Sequence, residues 1–173
     1  MKLSKIVDIS QIIGVIAVIF SLFFIGIEIR QNTIATKAAV RQSVATNDIA
    51  YLNTSLNSEI IASAIGKLAD GLEINTVERE QLIWQQYVNF MIFETVYYNY
   101  QEGYVESELW HRYRTIITGL LTNNIYAQNC WLKHGNTYTS SFKREIQQIM
   151  AKSNIKIDET KFESIKSEVN PEK

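Results

Sequence analysis

The sequence predicts an all-α protein: an N-terminal transmembrane helix that continues into a juxtamembrane helix, followed by a small helical bundle. Three observations predict it. Residues 12–27 carry no charged side chain, and only Gly14, Ser21 and Gly26 break their apolar run. The chain has a single proline, Pro171, and seven glycines, so little interrupts a helix. Apolar residues further along recur at helical spacing, and strand signals are confined to residues 155–157.

The anchor comes first. Residues 1–8 form a short flank, and residues 9–29 are the expected span. A helix rises about 1.5 Å per residue, so about 20 residues match the roughly 30 Å hydrocarbon core. The Ile and Val content would suggest a strand in water. In lipid a lone segment must satisfy its own backbone, which makes it helical. The run is longer than the roughly 7–15 residues of a signal peptide's apolar region, and no convincing small-x-small cleavage site follows it. Lys2 and Lys5 precede the span, offset in part by Asp8, while Arg30, Lys37 and Arg41 follow it. That asymmetry tilts the C-terminal side of a single crossing toward the cytoplasm.

No Pro or Gly occurs between Arg30 and Leu56, so one helix is expected over residues 5–56, with residues 30–56 as its juxtamembrane part. Its apolar positions there are Ile34, Ala38, Val40, Val44, Ala45, Ile49 and Leu52. Asn57 or Ser58 caps a helix over residues 59–70 with Ile60, Ile61, Ala64, Ile65 and Leu68 inward, ended by Asp70-Gly71. Asn75-x-x-Glu78 reads as a capping box opening a helix over residues 76–102. Its apolar residues cover more than one face, from Leu82 and Ile83 through Phe90, Met91 and Phe93 to Tyr97 and Tyr100, so it is expected at the centre of the bundle. Further helices are expected over residues 106–121, 125–134 and from Ser140 or Ser141 to Ala151. Asp158 caps a last one carrying Phe162, Ile165 and Val169. The bundle thus spans residues 57–169, and residues 170–173 form a loose tail.

Composition bounds the function. A net charge of −1 and a pI near 6.1 argue against nucleic acid as a partner. One cysteine, Cys130, excludes an intramolecular disulfide framework. No Gly-rich phosphate loop, HExxH or GxSxG motif occurs.

The words IEIRQNT at residues 27–33, FETVYYNYQEG at 93–103 and ESELW at 106–110 resemble a widespread group of uncharacterised bacterial membrane proteins. The likeness runs over residues 12–131. It implies one N-terminal span and a small helical domain, and it carries no catalytic residues with it.

Three sets of residues could carry chemistry. At about 100° per residue, Ser10, Gly14, Ala17, Ser21 and Glu28 fall close to one line of the span, a line that runs on near Gln31, Ala35 and Ala38. Small residues let helices approach closely in lipid, so this is a candidate self-association face, or a pore wall with a ring of Glu28 at its mouth. The plainer reading leaves Glu28 at the interface beside Arg30. Glu94 sits among Phe90, Met91, Phe93, Tyr97 and Tyr98. A carboxylate there needs a partner, and His111, Arg112, Arg114 or a tyrosine hydroxyl could serve it, either as a structural node or as part of a ligand site. Cys130 and His134 share a helix face at i, i+4. Two ligands do not make a zinc site, and a packed cysteine beside Trp131 is the plainer reading. No metal and no cofactor are expected.

The expectation is therefore a non-enzymatic interaction or assembly protein. Its partners would be the lipid bilayer and copies of itself, and another membrane protein is a further candidate. The alternatives are an oligomeric ion channel, and a membrane-anchored sensor whose aromatic bundle holds a small ligand or lipid.

Overall fold

A computed structural model describes residues 2–158, with side chains from Ser10 onward. The expected last helix, with Phe162, Ile165 and Val169, and the tail at 170–173 lie outside the described residues. Among the described residues there are six α-helices, α1 Lys2–Leu56, α2 Glu59–Ala69, α3 Thr76–Gln101, α4 Ser107–Asn123, α5 Ile125–His134 and α6 Ser140–Lys152, and a 3-10 turn at Gly135–Thr137. No strand occurs among the described residues, so residues 155–157 do not form one.

The chain divides into two compact units, residues 1–40 and 41–173. The first is helix alone. Its most apolar 18-residue window has a mean hydropathy of 2.7, and none of it is buried. This helix is long and apolar enough to cross a membrane. The second unit takes in the last part of α1, from Arg41 to Leu56, with the five shorter helices.

Local sequence sets the helix ends. Ser58 accepts the Ile61 N–H and opens α2. Asn75 and Glu78 make the full capping box at α3, each side chain taking the other's backbone N–H at 2.9 Å. Asn124 ends α4 and starts α5, its Oδ1 accepting from the N–H groups of Tyr126 and Ala127. At α6 the cap is Thr139, one residue before the expected serines; its hydroxyl accepts the Phe142 N–H. Gly71 and Gly103 leave α2 and α3 at φ +70° and +74°, a conformation that favours glycine.

The centre is α3, which packs against α2, α4, α5 and α6. Phe90, Ile117, Leu121, Cys130, Phe142 and Ile146 are fully buried. Rings fill the middle: Tyr97 lies 5.1 Å from Trp110 and 5.8 Å from Phe142, and Trp131 stacks on Tyr138 at 5.7 Å. Each such burial stabilises the fold by about 1.5–3 kcal/mol. On α2 only Ile61 and Ala64 are buried. Ile60, Ile65 and Leu68, expected inward, are exposed, because this short helix packs chiefly on α3 and needs only a narrow face. Met91 on α3 is exposed as well.

Candidate functional site

A groove of about 620 Å³ opens in the second unit between the last part of α1 and α3. Its α1 wall is Asn47, Ala50, Tyr51, Thr54 and Ser55; the α3 wall includes Trp84, Val88, Met91 and Ile92. The reason for an opening here is the way α1 is attached. Val44, Asp48, Tyr51 and Ser55, spaced 4, 3 and 4, turn one face toward the bundle. Of these only Val44 is a buried apolar side chain. The other three are held by hydrogen bonds. Gln85 Nε2 donates to Ser55 Oγ at 2.7 Å, Asn89 Nδ2 donates to the Tyr51 hydroxyl at 2.8 Å, and the Tyr113 hydroxyl donates to Asp48 Oδ2 at 2.7 Å. The α1 position falls by four as the α3 position rises by four, so the two helices run antiparallel. Side chains reaching across a gap leave space beside them, and that space is the groove.

These polar groups are placed where they can be satisfied. Asn89 is buried and also donates to Gln86 Oε1 at 3.1 Å, pairing two amides on the buried face of α3. Burial raises the Tyr51 phenol above its ordinary pKa, and burial with the Asp48 carboxylate raises Tyr113 well above its own. Both hydroxyls therefore stay protonated near neutral pH.

On the outer side of α3 the residues Val77, Gln81, Trp84, Val88, Met91, Thr95 and Tyr98 repeat strictly at 4 and 3. All seven are exposed. Its middle part, from Gln81 to Thr95, forms one lip of the groove.

The anticipated site residues fall as follows. Gly14, Ala17, Ser21 and Glu28 are exposed on α1, as is Ser10. A Cβ added at Gly14 meets nothing within 4 Å. The Ser21 hydroxyl donates to the Ala17 carbonyl at 2.9 Å, so it is satisfied within its own helix. Glu94 is half-buried and its Oε1 accepts the Thr139 N–H at 2.7 Å. It secures the start of α6 and does not join His111 or Arg112. His111 is exposed on α4. Arg112 lies 3.9 Å from Asp48 and its guanidinium sits 5.6 Å from the Tyr113 ring centre, while Arg114 pairs with Glu145 at 3.1 Å. The expected node between α3 and α4 is thus divided: the carboxylate serves α6 and the arginine serves α1. Within the aromatic bundle, anticipated as a holder of a small ligand or lipid, the Tyr97 ring lies against those of Trp110 and Phe142.

Cys130 is fully buried and its thiol is pushed up to about 12 by that burial, so it holds no thiolate near neutral pH. His134 packs instead with the rings of Trp84 and Tyr87 at 5.3 and 5.2 Å. Among the described residues no three His, Cys, Asp or Glu side chains gather to hold a metal ion.

Among the described residues Glu78 is the most strongly perturbed carboxylate. Lys67 Nζ donates to both its oxygens at 2.8 and 3.0 Å, and the Asn75 N–H and Ser63 hydroxyl add two more bonds. Lys67 first, then the backbone donor, hold its carboxyl at about 2. Both oxygens are used, in joining α2 to α3 and in capping α3, and both tasks are structural.

Sequence reasoning missed the groove and the polar attachment beside it. The available signal was the 4-3-4 spacing of Val44, Asp48, Tyr51 and Ser55. Comparison with protein-family models, with curated proteins and with solved structures gives no match.

Proposed function

We propose that the chain is a single-pass protein of the bacterial inner membrane that works as a non-enzymatic assembly module, with its helical domain on the cytoplasmic side and its membrane helices paired along the small-residue line. It would belong with the group whose sequence words it resembles. One observation carries the reading. On α1 the large apolar residues from Ile12 to Ile29 are all exposed, between 39% and 65%, and the most apolar window of that helix has none of its residues buried. Such a surface is stable only against lipid or against another apolar helix. Along Ser10, Gly14, Ala17, Ser21 and Glu28 it is small enough for a second helix to approach.

The test is native mass spectrometry of the full chain released from detergent, repeated across a range of protein-to-detergent ratios. The reading requires an oligomer that Gly14→Leu and Ser21→Leu weaken. A monomer at every ratio removes it.

The 620 Å³ groove favours a second reading, a sensor for a small apolar molecule. Its volume lies within the usual range of ligand pockets, roughly 300–1,000 Å³. Trp84 on its wall is half exposed, whereas Trp110 is buried. Binding of a fluorescent fatty-acid probe that quenches the wild type and spares Trp84→Phe supports the sensor; no saturable quenching ends it.

A further inference from the structure

The part of α1 outside the expected span has two contrasting faces. Val44, Asp48, Tyr51 and Ser55 are occupied by the bundle. One residue further on at each step stand Ala45, Ile49, Leu52 and Leu56, all exposed, the last three by 59%, 53% and 77%. These four repeat at 4, 3 and 4. Counting back in the same rhythm gives Gln42, Ala38, Ala35, Gln31, Glu28, Phe24, Ser21, Ala17, Gly14 and Ser10.

We infer that this ridge is covered by the same ridge of a second copy, and that α1 pairs with its twin as a parallel, two-stranded coiled coil reaching past the membrane to Leu56. The inference rests on the assembly reading above and adds the partner's number, direction and register.

Three arguments select a second copy. First, Ala45, Ile49, Leu52 and Leu56 keep the 4-3-4 spacing that holds an apolar seam against a like helix, where a straight helix of 3.6 residues per turn would drift off it. Second, within that repeat Ile49 falls at position a and Leu52 at position d, the combination that favours two parallel strands. Third, the area is too small for a free partner. Burying a large aliphatic side chain removes roughly 60–120 Å² from water. Ile49, Leu52 and Leu56 therefore offer on the order of 200 Å² per chain, against about 800 Å² per partner in a stable interface. Only a partner already tethered alongside, at high effective concentration, is held by so little. Another copy of the same membrane helix meets that condition. Copies inserted the same way are also parallel by necessity. A two-stranded pair encloses no lumen, so this assembly leaves no place for a pore ringed by Glu28.

The test is oxidative crosslinking of the full chain in native membranes. Cys130 is buried, so the wild type supplies a silent background. Gly14→Cys probes the membrane line, Leu52→Cys the ridge, and Thr54→Cys the groove side of the same helix turn. The expected result is a dimer band for Gly14→Cys and Leu52→Cys, at least fivefold weaker for Thr54→Cys, and nothing above the dimer in the Gly14→Cys/Leu52→Cys double variant. A ladder of higher bands in the double variant overturns the two-stranded pair. Crosslinking at Gly14 without crosslinking at Leu52 overturns the extension and leaves the membrane assembly standing. Crosslinking at neither position removes both. Preferential crosslinking of Leu52→Cys to a co-expressed Val88→Cys chain also overturns it, by seating the ridge in a neighbour's groove.

Discussion

The Tyr113 hydroxyl donates to Asp48 Oδ2 at 2.7 Å, and the Arg112 guanidinium approaches the same oxygen at 3.9 Å. Two consecutive residues of α4 thus hold one carboxylate of α1. Removing the hydroxyl leaves Asp48 with a longer, exposed ion pair. Tyr113→Phe is expected to loosen the attachment by about 1 kcal/mol, the lower end for a bond to a partly exposed charged group. Hydrogen exchange reads it: amides of residues 41–56 exchange several-fold faster, while those of α3 and α5 are unchanged. Equal acceleration throughout the bundle would assign Tyr113 to the general core instead.

Acid should release α2 from α3 through Glu78. Its carboxyl is held at about 2, below the ordinary 4.5, chiefly by Lys67. A depressed carboxylate stabilises the fold fully above 4.5, and this contribution is lost as pH falls from 4.5 through about 2. Thermal melting between pH 6 and pH 2 should therefore show a falling limb in that window. Glu78→Gln lowers the plateau and flattens the limb. An unchanged limb in the variant would mean that other carboxylates set it.

Cys130 should be chemically silent. Its thiol is buried and raised to about 12, so the attacking thiolate is scarce and inaccessible. Maleimide at pH 7.5 is expected to leave the folded chain unlabelled over an hour and to label it fully in denaturant, as read by intact mass. Rapid labelling of the folded chain would contradict the packing around Trp131 and Phe142.

Glu94 is expected to matter for α6 alone. It accepts the Thr139 N–H at 2.7 Å at the start of that helix. Glu94→Ala should cost about 1 kcal/mol, the usual value for a lost helix-end acceptor. Glu94→Gln keeps an acceptor oxygen and recovers part of it. Melting temperature, together with exchange at residues 140–145, tells the two apart from a loss at α4.

Much of the helix pattern was legible because its punctuation is local. Asn75-x-x-Glu78, Ser58, Asn124 and the two glycines after α2 and α3 act on neighbours a few residues away, so their effect can be read in one dimension. The central place of α3 was legible for a related reason: its apolar residues occupy too much of the circumference for one neighbour. What failed to show was the choice among faces. Met91 and Phe93 are both apolar and two residues apart, yet only Phe93 is buried, since Tyr113 of α4 lies against it while Met91 faces the open groove. Gln86 and Asn89 are polar and yet buried, because their amides pair with each other and with Tyr51. Glu94 looked like a partner for arginine, and its use by a backbone N–H 45 residues away has no sequence spacing to reveal it. The groove was invisible for the same reason. It is made by what α1 does not pack against.

The bonds from Gln85, Asn89 and Tyr113 to α1 have a mechanical meaning as well. A helix seated by greasy side chains comes away only by exposing them to water, an expensive and all-or-none event. A helix seated by hydroxyls, amides and a carboxylate exchanges each partner for a water molecule at small net expense. The seam between the last part of α1 and the bundle is thus built as a joint whose polar partners can each exchange for water and reseat in the same register, Ser55 on Gln85, Tyr51 on Asn89, and Asp48 on Tyr113 and Arg112.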